Sequence, residues 1–244
     1  MSATEYVRVE PSALVPLDYP GTPAPDSGVL DGERFWLGRE LDRLDGRTMV
    51  LAVGANASPS VLADKLHRAG VTGAVGMVRA EVTGLAVGHS AHVSRRGYIP
   101  AGPHASDAST AVVGLWLTDE QRKAIDATEP NYDRIDLRGD DHPLRLEIGE
   151  APAAYGVYVS RWGVLAAAGA PLRLGSQREL FARLAGDPAL AALASWEDPE
   201  AAVRALADPA ARARISEGFV AAGWVADAAL GSADQAVDPL DRQP

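Results

Sequence analysis

The sequence predicts an α+β fold for this chain of 244 residues. Up to about residue 160, short runs rich in Val, Ala and Leu indicate buried strands, and some are followed by amphipathic helices. After about residue 175 the pattern changes to helical segments separated by Asp-Pro pairs. Hydrophobic residues make up 47% of the chain and charged residues 23%, values typical of a folded globular protein.

The first 45 residues predict an N-terminal arm followed by a short helix. Residues 1–29 contain five prolines, which lack backbone donors and disfavour helix, so this part is expected to be extended and to pack over the core. In residues 33–44 the apolar side chains recur at helical spacing, which predicts the helix. These side chains are Phe35, Trp36, Leu41 and Leu44.

The next segment predicts a strand, a tight loop and a helix. Residues 48–53 form an apolar run typical of a buried strand, and Gly54 interrupts it. Ser58 followed by Pro59 predicts a helix start, because serine caps a helix and proline suits its first turn. Gly70 predicts the end of that helix.

Further strands and one more helix are predicted up to residue 160. Thr118 and Gln121 match a capping box, so a helix should start at residue 119, and Pro130 should stop it near residue 128. Residues 94–109 contain several Gly and Pro residues and are predicted to be a loop. The predicted strands are residues 76–78, 85–93, 110–117, 132–137, 144–148 and 154–160.

The C-terminal part predicts helices that pack on the strand-rich part. Helices are expected at residues 178–184, 199–206 and 211–225, and their apolar side chains are too few for an independent core. The expected organisation is therefore a domain over residues 46–175, helices packed on it over residues 176–230, and a flexible acidic tail over residues 231–244.

Composition excludes several classes of function. The net charge is −10 and no Lys/Arg-rich block occurs, so a nucleic-acid partner is not expected. The absence of cysteine excludes disulfides, thiol nucleophiles and thiolate metal sites. The five histidines form no regular ligand pattern with carboxylates, so no metal is predicted. No signal peptide and no apolar run of about 20 residues is found, which predicts a cytoplasmic protein without a membrane partner.

Two places in the chain could carry chemistry. Gly54, Ala55 and Asn56 lie between a predicted strand and a helix start, where free backbone N–H groups favour an oxyanion or a carboxylate. The alternative is a tight turn without a ligand. Glu129 lies between a predicted helix and a predicted strand, where a scaffold would hold a catalytic carboxylate in place. The alternative is a solvated carboxylate at a helix end.

The ordered series of motifs over residues 48–160 resembles the γ-glutamyl cyclotransferase-like family. Val53-Gly54-Ala55-Asn56 corresponds to the family's Tyr-Gly-Ser-Asn loop. The segments SRRGYIPA (94–101), VVGLW (112–116) and AYGVYV (154–159) are similar to later family segments. The sequence IDATEPNY (125–132) resembles the helix end that carries the family's glutamate and a nearby tyrosine. The chain departs from the family at Val53, Ala55 and Pro130, where the family has Tyr, Ser and Gly.

The resemblance implies a fold and a site. The implied fold is a small mixed β-barrel flanked by helices, here with a Pro-rich N-terminal arm and a C-terminal helical extension. Glu129 would be the general acid/base, and no metal or cofactor would be needed. The implied substrate-binding residues are Val53, Gly54, Ala55, Asn56 and Tyr132.

The function expected from this resemblance is cyclotransferase-like chemistry on an amide of a small amino-acid-like substrate. Loop 54–56 would hold an oxyanion or a carboxylate, and Glu129 would move the proton. Such an enzyme is an acyltransferase or a lyase by reaction type. Two alternatives stay open: another amide, ester or lyase reaction at the same site, or an interaction protein that kept the fold without activity. The sequence leaves the oligomeric state undetermined.

Overall fold

The structure, a computed structural model, describes residues 5–41 and 43–230, and the predicted tail over residues 231–244 lies outside this part. The strands are β1 (Tyr6–Arg8), β2 (Gly28–Asp31), β3 (Arg34–Leu37), β4 (Arg47–Ala52), β5 (Val75–His89), β6 (Ala101–Thr118), β7 (Tyr132–Arg138), β8 (Leu144–Leu146), β9 (Ala154–Ser160), β10 (Val164–Ala167), β11 (Ala170–Pro171) and β12 (Val225–Ala226). The helices are α1 (Pro59–Ala69), α2 (Asp119–Asp126), α3 (Gln177–Ala185), α4 (Pro188–Ala191), α5 (Pro199–Leu206) and α6 (Pro209–Ala221). Short 3₁₀ turns occur at Pro16–Asp18 and Ala55–Ala57.

A large mixed sheet organises the chain. Its strands follow the order β1-β3-β2-β5-β6-β4-β9-β7, with β8 also paired to β5, and a second small sheet has the order β11-β10-β12. The β4–β9 pair is parallel, whereas the other pairs are antiparallel. The predicted α+β class is therefore confirmed. The closed barrel is not confirmed, because within the described residues the large sheet begins at β1 and ends at β7, which do not pair.

The two faces of the large sheet contribute to different apolar clusters. Alternate residues of β4 divide between them: Val50 and Ala52 belong to one cluster, and Met49 and Leu51 to the other. The first cluster also contains apolar side chains of both nearby helices, namely Leu62, Ala63, Leu66 and Ile125. Helices α1 and α2 thus cover one face of the sheet. The loop before α1 and the segment after α2 contain the residues of the candidate site. No helix in the described ranges is long and apolar enough to cross a membrane.

The C-terminal helices form a third apolar cluster. Phe181, Trp196 and Phe219 are fully buried there, together with Ile99 and Leu165 from the strand-rich part. The Asp-Pro pairs, which the sequence predicted to separate the helical segments, each lie at the start of a helix. The aspartate in each pair accepts hydrogen bonds from N–H groups in the first turn of the helix that follows; these residues are Asp187, Asp198 and Asp208. The division into residues 1–45, 46–175 and 176–230 stays a prediction.

The short helix predicted in residues 33–44 is wrong. Arg34–Leu37 is strand β3, which pairs with β2 in a hairpin whose first loop residue, Gly32, has φ +56°. Such a left-handed position suits glycine in a two-residue hairpin loop. Phe35 is buried and Arg34 is exposed, so the side chains follow the alternation of a strand.

The loop predicted over residues 94–109 is also partly wrong. Residues 101–109 belong to β6, and the two short strands predicted at 76–78 and 85–93 lie largely within one long strand, β5. Pro103 is tolerated because it lies in the half of β6 that pairs with β5 but not with β4. The sequence pattern does not predict β10, β11 and β12, and α6 ends at Ala221 rather than at residue 225. The helix predicted from residue 119 is confirmed, with its capping box.

Candidate active site

A cavity of about 570 Å³ opens beside the end of β4. Its wall combines the N-terminal arm, the loop after β4, helix α1, the loop between β5 and β6, and the segment after α2. All the residues that the sequence nominated as site residues line this cavity: Val53, Gly54, Ala55, Asn56, Glu129 and Tyr132. The structure therefore brings together the two regions singled out in the sequence.

The loop after β4 is a single 3₁₀ turn followed directly by α1. The N–H groups of Ala57 and Ser58 bond to the carbonyls of Gly54 and Ala55 at 2.9 and 3.0 Å. The N–H groups at the start of such a turn have no acceptor within it. That of Ala55 interacts with the hydroxyl oxygen of Tyr19. Ser58 precedes α1 as predicted, although its hydroxyl bonds to Ser60 instead of to a helix N–H group.

Glu129, Asn56 and Lys65 form a triangle of hydrogen bonds at the cavity wall. Lys65 Nζ donates to Glu129 Oε1 at 2.6 Å and to Asn56 Oδ1 at 2.8 Å, and Asn56 Nδ2 donates to Glu129 Oε1 at 3.1 Å. The side chains of Lys65 and Glu129 are 20% and 16% exposed, so the pair is largely shielded from water. Both donors use Oε1, and Oε2 has no protein partner in the described ranges.

Lys65 is a site residue that the sequence analysis missed. It lies on α1 between Leu62 and Leu66, which are both buried, and so stands beside the apolar stripe of the helix. A lysine next to such a stripe usually extends to solvent, which is why the position carries no clear signal. The available signal is that α1 starts directly after the loop containing Asn56, so its first turns face that loop.

Tyr19 brings a hydroxyl group from the N-terminal arm to the loop. Its Oη accepts a hydrogen bond from Ala101 N at 2.6 Å, and its ring stacks on Tyr98 with centroids 4.6 Å apart. A Cβ on Gly54 would lie 2.4 Å from this Oη, so only glycine leaves room for the hydroxyl. Packing of Tyr19 over the core was expected from the sequence, but this contact was not.

The hydroxyl of Tyr19 is protonated and its hydrogen is unused by the protein. Burial raises the pKa of Tyr19 far above its ordinary value, and the N–H groups of Ala101 and Ala55 only partly oppose this effect. Because Oη accepts from Ala101 N, its own hydrogen must point elsewhere. No acceptor for that hydrogen occurs among the residues that the structure describes.

Other predicted site residues have structural contacts. Tyr132 Oη donates to Ala101 O at 2.7 Å, so both backbone groups of Ala101 are held by tyrosine hydroxyls. Burial raises the pKa of Tyr132 well above its usual value. Val53 packs against the apolar cluster that contains Met49 and Leu51. These contacts fix the shape of the cavity.

The cavity wall is richer in positive than in negative charge, although the chain carries a net charge of −10. Its charged side chains are Lys65, Arg68, Arg95 and Arg96 against Asp64 and Glu129. Arg68 Nε donates to Asp64 at 3.0 Å, and Arg96 donates to the Leu14 carbonyl at 3.1 Å. Arg95 has no protein partner within the described ranges. This arrangement favours a ligand with an anionic group.

Within residues 5–41 and 43–230, no group of three His, Asp or Glu side chains could hold a metal ion. No protein-family model matches the chain, and no curated protein matches it. One solved structure, a solution structure of a protein from Arabidopsis thaliana, is similar at 16% sequence identity and a TM-score of 0.35. The match covers 50% of this chain and 66% of the Arabidopsis chain. The family resemblance therefore rests on the sequence motifs.

Proposed function

We propose that this chain is a γ-glutamyl cyclotransferase-like enzyme that acts on an amide of a small amino-acid-like substrate. The observation that carries the proposal is the hydrogen bond between Asn56 and Glu129, which joins the loop to the carboxylate inside one cavity. A carboxylate that faced solvent would favour an interaction protein instead. The side chain of Glu129 is only 16% exposed, which supports an enzyme.

The charges of the cavity support a substrate that carries a carboxylate. Arg95 is available for such a group, since no protein acceptor engages it among the described residues. A γ-glutamyl amide has an α-carboxylate, an α-amino group and a γ-carbonyl on one short chain. Binding the carboxylate at the arginine side of the cavity would leave the other two groups near Glu129 and loop 54–56.

In the proposed first step, Glu129 Oε2 accepts a proton from the α-amino group of the substrate, because Oε1 is occupied by Lys65 and Asn56. The amino nitrogen then attacks the γ-carbonyl of the same molecule, a geometry that supplies much of the rate advantage by proximity. Negative charge develops on the carbonyl oxygen. The N–H groups of loop 54–56 and the hydroxyl of Tyr19 would stabilise that charge.

In the second step, the tetrahedral intermediate collapses and the C–N bond to the leaving amine breaks. Glu129 returns its proton to the leaving nitrogen, so the carboxylate is regenerated. The products are 5-oxoproline and a free amine or amino acid. Protons balance within the cycle, and each step uses groups of this chain.

In this proposal, Tyr19 replaces one of the two hydroxyls that the family loop has and this loop lacks. Val53 and Ala55 lack the hydroxyls of the family's Tyr and Ser, and Tyr19 supplies a hydroxyl beside Gly54 from another segment. The same groups could support another amide, ester or lyase reaction, which stays the second candidate function. In such a reaction a donor group on the loop and a carboxylate at Glu129 would have the same roles.

The test is a screen of γ-glutamyl amides with different leaving amines, read by chromatography coupled to mass spectrometry. Release of 5-oxoproline together with the amine is expected for at least one substrate, and its loss in Glu129→Gln would assign it to this site. Release of glutamate instead would indicate hydrolysis and favour the second candidate. If no γ-glutamyl amide reacts and none binds, the proposed function is wrong.

A further inference from the structure

His92 lies in the cavity wall and has no role in the chemistry proposed above. His92 is only 4% exposed. The imidazole ring meets the ring of Tyr132 edge-on at 5.6 Å between centroids and stacks on Trp162 at 6.3 Å with an interplanar angle of 29°. These contacts fix the plane of the imidazole, so its two nitrogens point in set directions.

A chain of hydrogen bonds leads from the protein backbone to one of these nitrogens. Trp162 N donates to Ser160 Oγ at 3.1 Å, and Ser160 Oγ lies 2.6 Å from Ser90 Oγ. Ser90 Oγ in turn lies 2.6 Å from His92 Nδ1. Ser90 is fully buried and Ser160 is 7% exposed, so water has little access to this chain.

The backbone N–H of Trp162 sets the direction of the chain, because an amide N–H can only donate. If Ser160 donates to Ser90 and Ser90 donates to His92 Nδ1, each hydroxyl accepts once and donates once. In the reverse direction, His92 Nδ1 donates to Ser90 and Ser90 donates to Ser160, which leaves the hydrogen of Ser160 without an acceptor. Ser160 could then donate to Ser90 only if the hydroxyl of Ser90 donated to Tyr132 instead. Ser90 also interacts with the hydroxyl of Tyr132, but its two contacts of 2.6 Å are those to Ser160 and His92. These short contacts favour the forward direction, in which Nδ1 is the acceptor.

Neutral imidazole carries one hydrogen, so an accepting Nδ1 places that hydrogen on Nε2. Burial lowers the pKa of His92 to about 3, which keeps the ring neutral at physiological pH. No protein partner for Nε2 occurs in the described part of the chain, and Nε2 is not sealed off from the cavity.

We propose that His92 is a ligand-binding residue whose Nε2–H donates a hydrogen bond to an oxygen of the ligand in this cavity. The oxygen belongs to a carbonyl or a carboxylate, since these are pure acceptors. The inference rests on the proposed function for the identity of the ligand, because a γ-glutamyl amide carries both kinds of oxygen. The tautomer of His92 does not depend on it.

This role differs from that of Glu129. A histidine that stays neutral down to low pH and is tied through Nδ1 does not exchange protons with a substrate near pH 7. It presents one donor in a fixed direction. His92 therefore contributes to binding and orientation, and a ligand that offers a donor in place of the oxygen would be rejected.

The first experiment is ¹⁵N NMR of the histidine side chains of the full chain at pH 7, with His92 assigned through bonds from its backbone. The expected result is a protonated Nε2 and an unprotonated Nδ1 without any ligand. A protonated Nδ1 with a bare Nε2 would show that Ser90 donates to Tyr132 instead, and it would overturn the proposal. A doubly protonated ring would overturn it as well.

The second experiment titrates 5-oxoproline and, separately, sodium acetate into the labelled protein. We expect the Nε2–H signal of His92 to shift on binding. His92→Leu should weaken 5-oxoproline binding by about tenfold, the effect of one lost hydrogen bond, whereas His92→Gln should retain binding through its amide. The exposed residue His67 gives the matched control, His67→Leu.

The outcomes separate this inference from the proposed function. If the Nε2–H signal shifts with either probe while no γ-glutamyl amide is turned over, the proposed function fails and the role of His92 stands. If neither probe shifts the signal at saturating concentration, the role of His92 is wrong even where 5-oxoproline is released. Equal binding of 5-oxoproline by the wild type and a folded His92→Leu variant would also overturn that role.

Discussion

The ammonium of Lys65 lies 2.6 Å from Oε1 of Glu129, and both groups also bond to the side chain of Asn56. Helix α1, the loop before it and the segment after α2 are therefore joined at one point. Because the cation and the amide use the same carboxylate oxygen, the other oxygen keeps its direction in the cavity. Four predictions concern this point and its neighbour Tyr19.

Glu129→Gln keeps the volume and most hydrogen-bonding capacity of the side chain but removes the proton acceptor. If Glu129 is the general base, turnover should fall by about 10²–10⁴-fold, the usual contribution of such a group. Binding of 5-oxoproline should change little, because the loop and the arginines are intact. Steady-state kinetics and calorimetry measure the two effects. The exposed Glu33 provides the control Glu33→Gln, which should keep full activity. Full activity in Glu129→Gln would contradict the proposed mechanism.

The Lys65–Glu129 pair should also contribute to stability more than a surface pair does. A double-mutant cycle with Lys65→Met and Glu129→Gln should give a coupling free energy of about 1–3 kcal/mol, since neutralising one partner leaves the charge of the other shielded and without its counter-ion. The exposed pair Arg8–Glu33, with side chains 73% and 55% exposed, should give less than about 1 kcal/mol. Urea unfolding measures both. Equal coupling in the two pairs would contradict the expected difference.

Tyr19→Phe should lower kcat by about 10²–10³-fold if its hydroxyl stabilises the oxyanion, with a smaller effect on KM. The change also removes the acceptor for Ala101 N, so some stability is lost with it. Tyr155→Phe is the matched control, because the hydroxyl of Tyr155 likewise bonds to the backbone, at the carbonyl of His142. Equal losses of kcat in both variants would mean that Tyr19 acts only on stability.

Gly54→Ala should displace the hydroxyl of Tyr19. The added Cβ would lie 2.4 Å from Tyr19 Oη and 3.1 Å from Ala101 Cβ, and such overpacking costs about 1–3 kcal/mol. The double variant with Tyr19→Phe should recover part of that loss, because the next ring atom, Cζ, lies 3.5 Å away. Gly186→Ala is the control, as its neighbours begin at 3.5 Å. Thermal unfolding distinguishes these variants, and additive losses in the double variant would argue against the clash.

His89 predicts a loss of stability at mildly acidic pH. Burial lowers its pKa to about 4 from an ordinary 6.5, and its Nε2 accepts a hydrogen bond from Gly175 N at 3.1 Å. Between these two values the unfolded chain binds more protons, so the free energy of unfolding is complete above pH 6.5 and falls as the pH drops towards 4. The slope from one such histidine is at most about 1.4 kcal/mol per pH unit.

His89→Gln keeps an acceptor for Gly175 and removes the titrating group. The difference in unfolding free energy between pH 7 and pH 5 should therefore be smaller in this variant than in the wild type, as measured by urea unfolding at both values. His67→Gln, at an exposed position on α1, should leave the difference unchanged. An unchanged difference in His89→Gln would show that His89 is not responsible for it.

The sequence was informative where local chemistry decides the structure. Helix α2 begins at its capping box, and α1 begins at Pro59 and ends before Gly70, because these signals act within one turn. The loop after β4 and Glu129 were nominated separately, from patterns of a few residues each. That the loop and Glu129 lie close together was predicted only from the family resemblance. In the structure they meet through the hydrogen bond between Asn56 and Glu129, which are 73 positions apart.

Other features depend on partners that are distant in sequence. Residues 101–109 contain Gly and Pro, yet pairing with β5 makes them a strand. The sequence pattern does not distinguish Lys65 from other lysines on an amphipathic helix, because its partner Glu129 lies 64 positions away. Tyr19 contacts Ala101 across 82 positions, which no local pattern encodes. Only the assembled fold identifies these two side chains as parts of the site.

The place of Tyr19 against Gly54 has a consequence for the search for relatives of this protein. The hydroxyl beside the loop comes from an arm that lies outside the region of motif resemblance, so the motif alone does not identify every chemical group at this loop. Relatives that lack Tyr and Ser in the loop are therefore best sought by superposing three groups in space: a phenol, a carboxylate and an ammonium arranged like those of Tyr19, Glu129 and Lys65. An expression variant that starts after the arm would remove one of the three.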